Sequence, residues 1–508
     1  MSKSNKIRLA IWCMVALAVV ALTCTFALTS CNANAIVLRA SKEANNYTIN
    51  AIYNDDTKSL FATQSVDYKN TSGDILDSVS FHLYPNAFRD GAQYKPVGVL
   101  TSEKAYPNGE NFGGITIKNV KVNNKEAEFH IGGNDNDILI VPIATQLFPN
   151  SRATISFEFD VNLPNIRHRL GYTNKAVNLG NFYPIACVYE NGTFDLSPYS
   201  YNGDPFYTDI ANYKVALTCA NDFVVASTGE LNSRTAQNDK TEHVFTALAV
   251  RDFAMVLSRE FKVLTGSAGK TTVSYYSYND ENAEKSLETS IKSVNTFNKI
   301  FGEYPYKTLA VVETGFVHGG MEYPNLVYIS DDLSSYEEYT NVIVHEIAHQ
   351  WWYGVVGDNQ NVDGWIDEGL AEYSCILFYE NNPEYGQSRD KIISNDIKSY
   401  VLFVEVYGDL FENFDTSMTR ALTDYKTEPE YTYMAYVKSV LLVDNIRNVV
   451  GDNKFMVALK NFYRDNAMQF ATKDTFIFAF ENASKMPLRA LIESWLDGKI
   501  VITSDLVA

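Results

Sequence analysis

The stretch Val342-Ile-Val-His345-Glu346-Ile-Ala-His349-Gln-Trp-Trp352 decides how the second half of this chain is interpreted. On a helix, histidines four residues apart lie one turn apart on the same face, so that both imidazoles can bind one Zn²⁺. Glu346 leans over the same face and is placed to act as a base. The chain has only seven histidines in 508 residues, so a chance His-Glu-x-x-His pattern is rare. We therefore predict a zinc-binding helix, against the alternative of two core histidines at helical spacing.

The flanking residues predict where this helix begins and ends. Ser335, followed three residues later by Glu338, is typical of a capping box at a helix N-terminus. Gly354 is typical of a C-terminal stop. The β-branched residues between them would form a poor solvent-exposed helix, so we expect a buried one.

A catalytic zinc needs a third protein ligand and one open coordination position. Glu368, separated from His349 by eighteen residues, is a candidate for that third ligand. The metzincin pattern needs Gly and His three and six residues after His349, and Trp352 and Val355 stand there instead, which excludes that class. Residue chemistry alone leaves four carboxylates open for the third position: Asp363, Asp367, Glu368 and Glu372.

Length and composition indicate a multidomain globular protein. A chain of 508 residues exceeds one ordinary core, so two or three domains are expected. The formal charge is −19 and the basic residues cluster only at the extreme N-terminus, which argues against nucleic-acid binding. Only three cysteines lie beyond the N-terminal segment, too few for a disulfide framework: Cys187, Cys219 and Cys375.

The N-terminus is predicted to be a targeting segment. Three cations within the first eight residues precede an uncharged apolar run over 9–28. The run ends in Leu28-Thr-Ser-Cys31, which resembles a bacterial lipobox, so we expect a signal peptide over 1–30 and lipidation of Cys31. Its removal would change the formal charge from −19 to −22. The alternative is an uncleaved signal anchor. Both place the body outside the cytoplasm, anchored to a membrane.

The pattern of apolar residues divides the rest of the chain. Residues 31–45 are short and polar and are predicted to be a tether. Residues 46–258 show the alternation typical of strands, with an irregular insertion over 165–212 at a possible cleft edge. From 259 to 508 a few strands give way to segments with helical periodicity. The predicted fold class is α+β multidomain, with a β-sheet domain first and a mixed α/β domain second.

Four segments, in order and spacing, resemble the M1 family of zinc aminopeptidases. They are Phe301-Gly-Glu-Tyr-Pro-Tyr306, Gly319-Gly-Met-Glu322-Tyr-Pro324, the His345–His349 motif and Trp365-Ile-Asp-Glu368-Gly369. The resemblance covers roughly residues 245–500. It implies a thermolysin-like catalytic domain, one Zn²⁺ per chain, and peptides with a free N-terminus as substrates.

The resemblance implies a role for nine residues. Glu322 would hold the α-ammonium of the substrate, and Tyr436 would stabilise the developing oxyanion. The position of a second amine-binding carboxylate is left open, with Glu190 as a guess. The metal ligands, the base and the backbone contacts to substrate are then, respectively, His345, His349 and Glu368; Glu346; and Gly319, Gly320 and Met321.

The function expected from the sequence is therefore a zinc aminopeptidase that acts outside the cytoplasm. One rival is a zinc endopeptidase with the same metal site, which would not need a free α-amine. A second rival is a catalytically dead surface protein that captures peptides. The intact His-Glu-x-x-His…Glu set argues against the second rival, because a dead copy has no reason to keep the base.

Overall fold

The computed structural model describes residues 35–412 and 414–504. The predicted signal peptide and Cys31 lie outside these residues. Buried apolar side chains form two large clusters, one built mainly from residues 47–261 and one mainly from residues 268–496. Within the described part of the chain, no helix is both long enough and apolar enough to cross a bilayer.

The N-terminal domain is built from β-sheets. An eight-stranded sheet has the order β16-β17-β14-β1-β2-β8-β4-β5, and two four-stranded sheets have the orders β15-β18-β10-β9 and β11-β3-β7-β6. In β8, alternate side chains from Ile155 to Val161 are buried, as the sequence pattern predicts. The strands are β1 Asn45–Asn54, β2 Ser59–Lys69, β3 Leu76–His82, β4 Gly114–Val122, β5 Lys125–Glu126, β6 His130–Gly132, β7 Ile138–Leu147, β8 Arg152–Asn162, β9 Leu170–Tyr172, β10 Val177–Leu179, β11 Ile185–Ala186, β12 Tyr189–Glu190, β13 Thr193–Phe194, β14 Ala211–Ala220, β15 Val224–Ser227, β16 Glu230–Gln237, β17 Lys240–Val250 and β18 Met255–Ser258.

The segment predicted to be a tether is structured from residue 35 onward. Residues 35–43 form a helix, α1, and β1 begins at Asn45. Val37 is buried in the core of the second domain, and Ile36 and Ala40 pack against the same core. Three apolar residues therefore anchor a helix of nine residues, which is too short for periodicity analysis to identify.

The segment 165–212 is largely irregular, as its composition predicts, and residues 195–210 form no helix or strand. It contains β9 to β13 and begins β14, and its aromatic side chains Phe182, Tyr183 and Phe206 are fully buried. These rings belong to the core of the N-terminal domain, so they stabilise the segment through burial and not through local propensity. Residues 201–204 do lie at the edge of a cavity, as described below.

The second domain pairs a five-stranded sheet with helices. Strands β20, β21 and β23 are parallel, and β22 pairs antiparallel with β23 at the edge of the sheet. The boundary predicted at residue 259 falls between β18 and β19. The strands are β19 Lys262–Ala268, β20 Thr271–Ser277, β21 Thr308–Thr314, β22 Gly320–Met321 and β23 Leu326–Ser330. The helices after α1 are α2 Ser102–Ala105, which lies in the N-terminal domain, and α3 Ala283–Ile300, α4 Tyr336–Ala348, α5 Gln360–Asp363, α6 Asp367–Asn381, α7 Arg389–Leu410, α8 Glu428–Thr432, α9 Ser439–Val450, α10 Asp452–Asn466, α11 Lys473–Ser484 and α12 Arg489–Leu496.

Helix α4 carries the His-Glu-x-x-His motif and begins where the sequence predicts. Ser335 is the N-cap, and its side chain accepts a hydrogen bond from the backbone N–H of Glu338. The carboxylate of Glu338 turns back to the N–H and hydroxyl of Ser334 and not to the N–H of Ser335. In the predicted capping box, Glu338 would bond the N–H of the N-cap residue. The bond is instead made one residue earlier, at Ser334.

The end of α4 differs from the prediction. The helix ends at Ala348, six residues before Gly354. The chain reverses at Tyr353, whose φ is 119°, an unusual value for a residue with a side chain. The buried hydroxyl of Tyr353 donates to Asp252 of the N-terminal domain at 2.7 Å. A contact between domains therefore accompanies the turn, and within the turn the N–H of Gly354 donates to the carbonyl of His349 at 2.9 Å.

Candidate metal centre and substrate cavity

Three buried side chains converge beside α4. The Nε2 atoms of His345 and His349 lie 3.0 Å apart, and each lies 3.3 Å from Oε2 of Glu368. Tetrahedral zinc with bonds of about 2.0–2.1 Å separates neighbouring ligand atoms by about 3.3 Å. The Oε2 atom of Glu368 is buried and has no hydrogen-bond partner of normal geometry among the described residues. The donor set therefore fits a zinc ion.

The outer nitrogen of each imidazole faces an oxygen atom of the protein. Nδ1 of His349 lies 2.9 Å from the backbone carbonyl of Trp352, and Nδ1 of His345 lies 3.3 Å from Glu372. A proton on each Nδ1 leaves each Nε2 free to bind a metal, which is the usual arrangement around ligating histidines. Cys375 lies on the same side of His345 as Glu372. Glu372 thus lies behind a histidine and not in the triangle.

The carboxylates of the two remaining candidates for the third ligand accept hydrogen bonds from other side chains. Asp363 accepts a hydrogen bond from the indole of Trp365 at 3.0 Å. Asp367 accepts one from Gln360 at 2.8 Å. Of the four acids that sequence chemistry left open, Glu368 is therefore the one whose carboxylate faces both Nε2 atoms.

Charges within the triangle shift the pKa of each member. Burial lowers the pKa of His349, but the carboxylate of Glu368 outweighs burial and raises that pKa to about 9. Burial raises the pKa of Glu368, yet His349 and His345 lower it to about 2. Positive charge around Glu368 therefore favours its ionised form. A bound divalent cation would supply positive charge at the same place.

Glu346 points into the space beside the triangle. Burial raises the pKa of its carboxyl to about 8, and its Oε2 atom is buried without a hydrogen-bond partner among the described residues. The other oxygen lies against β22, where a Cβ atom on Gly320 would be only 2.2 Å from Oε1. The absence of a side chain at residue 320 therefore makes room for the Glu346 carboxylate.

The residues of the Gly-Gly-Met-Glu segment face in alternate directions. Gly319, Gly320 and Glu322 line the cavity next to the triangle. The side chain of Met321 is buried in the core of the N-terminal domain, and its sulfur accepts a hydrogen bond from Arg169 at 3.1 Å. This alternation is that of an extended strand, so only the backbone of Met321 is available to a ligand.

Glu322 is a buried carboxylate with a single hydrogen bond in the described structure. Its Oε1 atom accepts from Gln360 at 2.8 Å. Burial, and then the negative charge of Asp204, raise its pKa to about 7. An ammonium group bound beside Glu322 would replace the solvation that its carboxylate loses on burial. It would therefore favour the ionised form of Glu322.

Tyr436 lies beside the ring of His345. It belongs to a π-helix, Tyr433–Lys438, that precedes α9, and such turns often occur at functional sites. Its ring stacks on that of His345 with centroids 6.0 Å apart, and its hydroxyl donates to Oε1 of Glu368. The phenol therefore reaches the cavity beside His345, His349 and Glu368.

Three further charged residues line the same cavity, which has a volume of about 260 Å³. Sequence reasoning did not identify them, because they come from distant parts of the chain and follow no motif spacing. The only signal was the predicted cleft edge over 165–212. Glu190, which was guessed to be the second amine-binding carboxylate, is not among the residues that line the cavity. The three residues are Arg169, Asp204 and Glu428.

Comparison with known proteins gives an independent view of this site. Residues 285–495 match the sequence profile of the Peptidase family M1 domain. Glutamyl aminopeptidase of Bos taurus is 27% identical over 176 residues, which cover 34% of this chain and 18% of the bovine protein. The matched region is thus less than a fifth of that relative's length.

Solved structures extend the similarity over both domains. The M1 zinc metallopeptidase from Deinococcus radiodurans aligns with a TM-score of 0.63 at 14% identity, covering 90% of this chain and 95% of that one. A mutant of the Deinococcus enzyme, bound to the substrate Tyr-Ser-Ala, aligns equally well. The predicted fold class is confirmed, and so is the predicted family resemblance. Residues 285–495 therefore match the peptidase family M1 domain, within a two-domain fold similar to that of the M1 zinc metallopeptidase from Deinococcus radiodurans.

Proposed function

We propose that this protein is a zinc-dependent aminopeptidase that removes N-terminal residues from peptides. The observation that carries the proposal is the position of Glu322. This buried carboxylate shares one small cavity with the His345–His349–Glu368 triangle and with the base, Glu346. A cavity with a metal site at one wall and an anion at another can bind the free end of a peptide next to the reacting bond.

The zinc ion would be held by His345, His349 and Glu368. When bound, zinc supplies a Lewis acid and lowers the pKa of a water molecule in the open coordination position. Glu346 accepts a proton on its carboxylate and later passes that proton to the leaving amine. The hydroxyl of Tyr436 donates to the scissile carbonyl oxygen as negative charge develops there.

Glu322 provides the exopeptidase character. Its carboxylate pairs with the substrate's α-ammonium, so that only the first peptide bond reaches the base. Asp204 lies close enough to raise the pKa of Glu322 and faces the same cavity, so it is the acid that we assign as a second partner for the ammonium. The edge strand β22 offers the backbone of Gly320 and Met321 to the substrate chain.

The test compares free and N-acetylated peptides. Glu322→Ala should weaken hydrolysis of free-amine substrates about tenfold or more, because a charge-assisted hydrogen bond contributes roughly 1.5–3 kcal/mol. The zinc content should remain that of the wild type. Glu405→Ala, which removes an exposed carboxylate of α7, should leave both unchanged.

The rival functions give different results in the same assay. An endopeptidase would cut acetylated and free peptides equally well, and Glu322→Ala would then have no selective effect. A peptide-binding protein without activity would bind zinc and peptide but hydrolyse neither form. Either result would refute the aminopeptidase proposal.

We also propose that the protein is a lipoprotein, anchored to a membrane at Cys31 and facing away from the cytoplasm. The support is the sequence Leu28-Thr-Ser-Cys31 after the apolar run over 9–28. The catalytic body would then meet peptides that reach the cell surface.

A further inference from the structure

The cavity contains more negative charge than the proposed chemistry requires. Six carboxylates line it, against a single guanidinium. A bound zinc ion and the substrate's α-ammonium would together add three positive charges. Counted as formal charges, the carboxylates would still be in excess by two. The six are Asp204, Glu322, Glu346, Glu368, Glu372 and Glu428.

The one guanidinium is committed to other groups. Arg169 forms an ion pair with Asp204 and donates to the carbonyl of Gly203 and the hydroxyl of Tyr199. Its Nε donates to the sulfur of Met321. Four of its five N–H groups are therefore used within the protein, and the guanidinium has little capacity to bind an anionic side chain.

Glu428 is the carboxylate without a role in the proposed mechanism. It is the first residue of α8, and its Oε1 accepts a hydrogen bond from Thr101 of the N-terminal domain at 2.8 Å. Gly98 packs so closely that a Cβ atom there would lie 2.5 Å from Oε2. Two domains thus hold this carboxylate at the cavity wall, and no cation pairs with it among the described residues.

We propose that the cavity selects peptides whose N-terminal residue has a cationic side chain, arginine or lysine, and that Glu428 is the carboxylate that selects it. This inference rests on the proposed aminopeptidase function and specifies its substrate class. A cationic side chain would neutralise part of the excess charge, whereas an acidic one would add to it. The preference would therefore be opposite to the one that the name of the bovine relative indicates for that protein.

The kinetic test uses the zinc-loaded full chain and four aminoacyl-methylcoumarin amides, those of arginine, lysine, alanine and glutamate. The kcat/KM of the arginine and lysine substrates should exceed that of the alanine substrate by about tenfold, and the glutamate substrate should be the poorest. Glu428→Gln keeps the bond from Thr101 and should reduce the ratio of arginine to alanine at least about fivefold. Asp424→Asn, an exposed acid outside the cavity, should not change the ratio.

The ratio between two substrates does not depend on how much of the sample is folded, so partial misfolding of a variant cannot imitate the effect. A wild-type protein that prefers alanine or glutamate would overturn the inference. So would an arginine-to-alanine ratio that Glu428→Gln leaves unchanged.

A binding measurement separates this inference from the proposed function. Calorimetry on the zinc-loaded Glu346→Gln protein should show tighter binding of L-argininamide than of L-alaninamide, and adding Glu428→Gln should remove the difference. If the wild type hydrolyses none of the four substrates, the aminopeptidase function fails, while the calorimetric preference would still support a cation-selective cavity. Equal binding of the two amides would refute the selectivity even in an active enzyme.

Discussion

Gly320 offers a sharp test of how the base is positioned. A Cβ atom at this position would lie 2.2 Å from Oε1 of Glu346 and 2.5 Å from its Cδ and Cγ atoms. Ordinary contacts begin near 3.4 Å, so the carboxylate in Gly320→Ala must move by about 1 Å. Misplacing a reacting group by about 1 Å costs on the order of 10²-fold in rate, and complete loss of proton transfer costs about 10²–10⁴-fold. We therefore expect kcat to fall by about 10²–10³-fold.

The assay measures kcat, KM and zinc content for Gly320→Ala beside Gly408→Ala. The second variant adds a methyl group where nothing lies within 4 Å, so it should behave as the wild type. The zinc content of both should be normal, because the ligand atoms do not face Gly320. Overpacking should also lower the stability of Gly320→Ala by about 1–3 kcal/mol.

A double variant distinguishes this explanation from a role of Gly320 in binding substrate backbone. If Gly320→Ala acts through the base, it should cost little further activity once Glu346 is already Gln, because the two changes affect one function. Equal losses in both backgrounds would show that the added methyl group obstructs the substrate instead. Near-normal kcat in Gly320→Ala with full zinc would refute the reasoning outright.

The remaining predictions concern the metal and the N-terminus. Glu368→Ala should lose most of its zinc, measured as metal per protein, whereas Glu372→Ala should keep most of it; equal zinc contents would contradict the assignment of the third ligand. In the metal-free protein the raised pKa of His349, about 9, gives stability that is fully present below about pH 6.5 and is lost as the pH rises through 9. Zinc takes the place of that proton, so the increase in Tm on adding zinc should grow from pH 6.5 to 9. The stabilisation should approach about 4 kcal/mol when free zinc is about 1,000 times Kd. An increase in Tm that shrinks over this pH range would contradict the linkage. Mass spectrometry of the native N-terminus should find a chain that begins at lipidated Cys31, and an unprocessed Met1 would support a signal anchor instead.

Local patterns were sufficient to predict the helix that carries His345 and His349. The spacing of His345 and His349 places both rings on one face because helix geometry depends only on neighbouring residues. Ser335 caps α4 for the same local reason. The Gly-Gly-Met-Glu segment also indicated a close backbone approach, although not that Gly320 makes room for Glu346.

Tertiary contacts decided what local patterns left open. The choice of Glu368 among four acids depends on how α6 packs against α4, and α4 ends early at a turn where Tyr353 bonds Asp252 of the other domain. Asp204 and Glu428 reach the cavity from the N-terminal domain and from α8, more than 200 residues apart in sequence. The sequence by itself thus predicted the two histidines that one helix presents together. The third ligand, the shape of the cavity and its excess charge arise only when distant segments pack, because no periodicity in the sequence records such contacts.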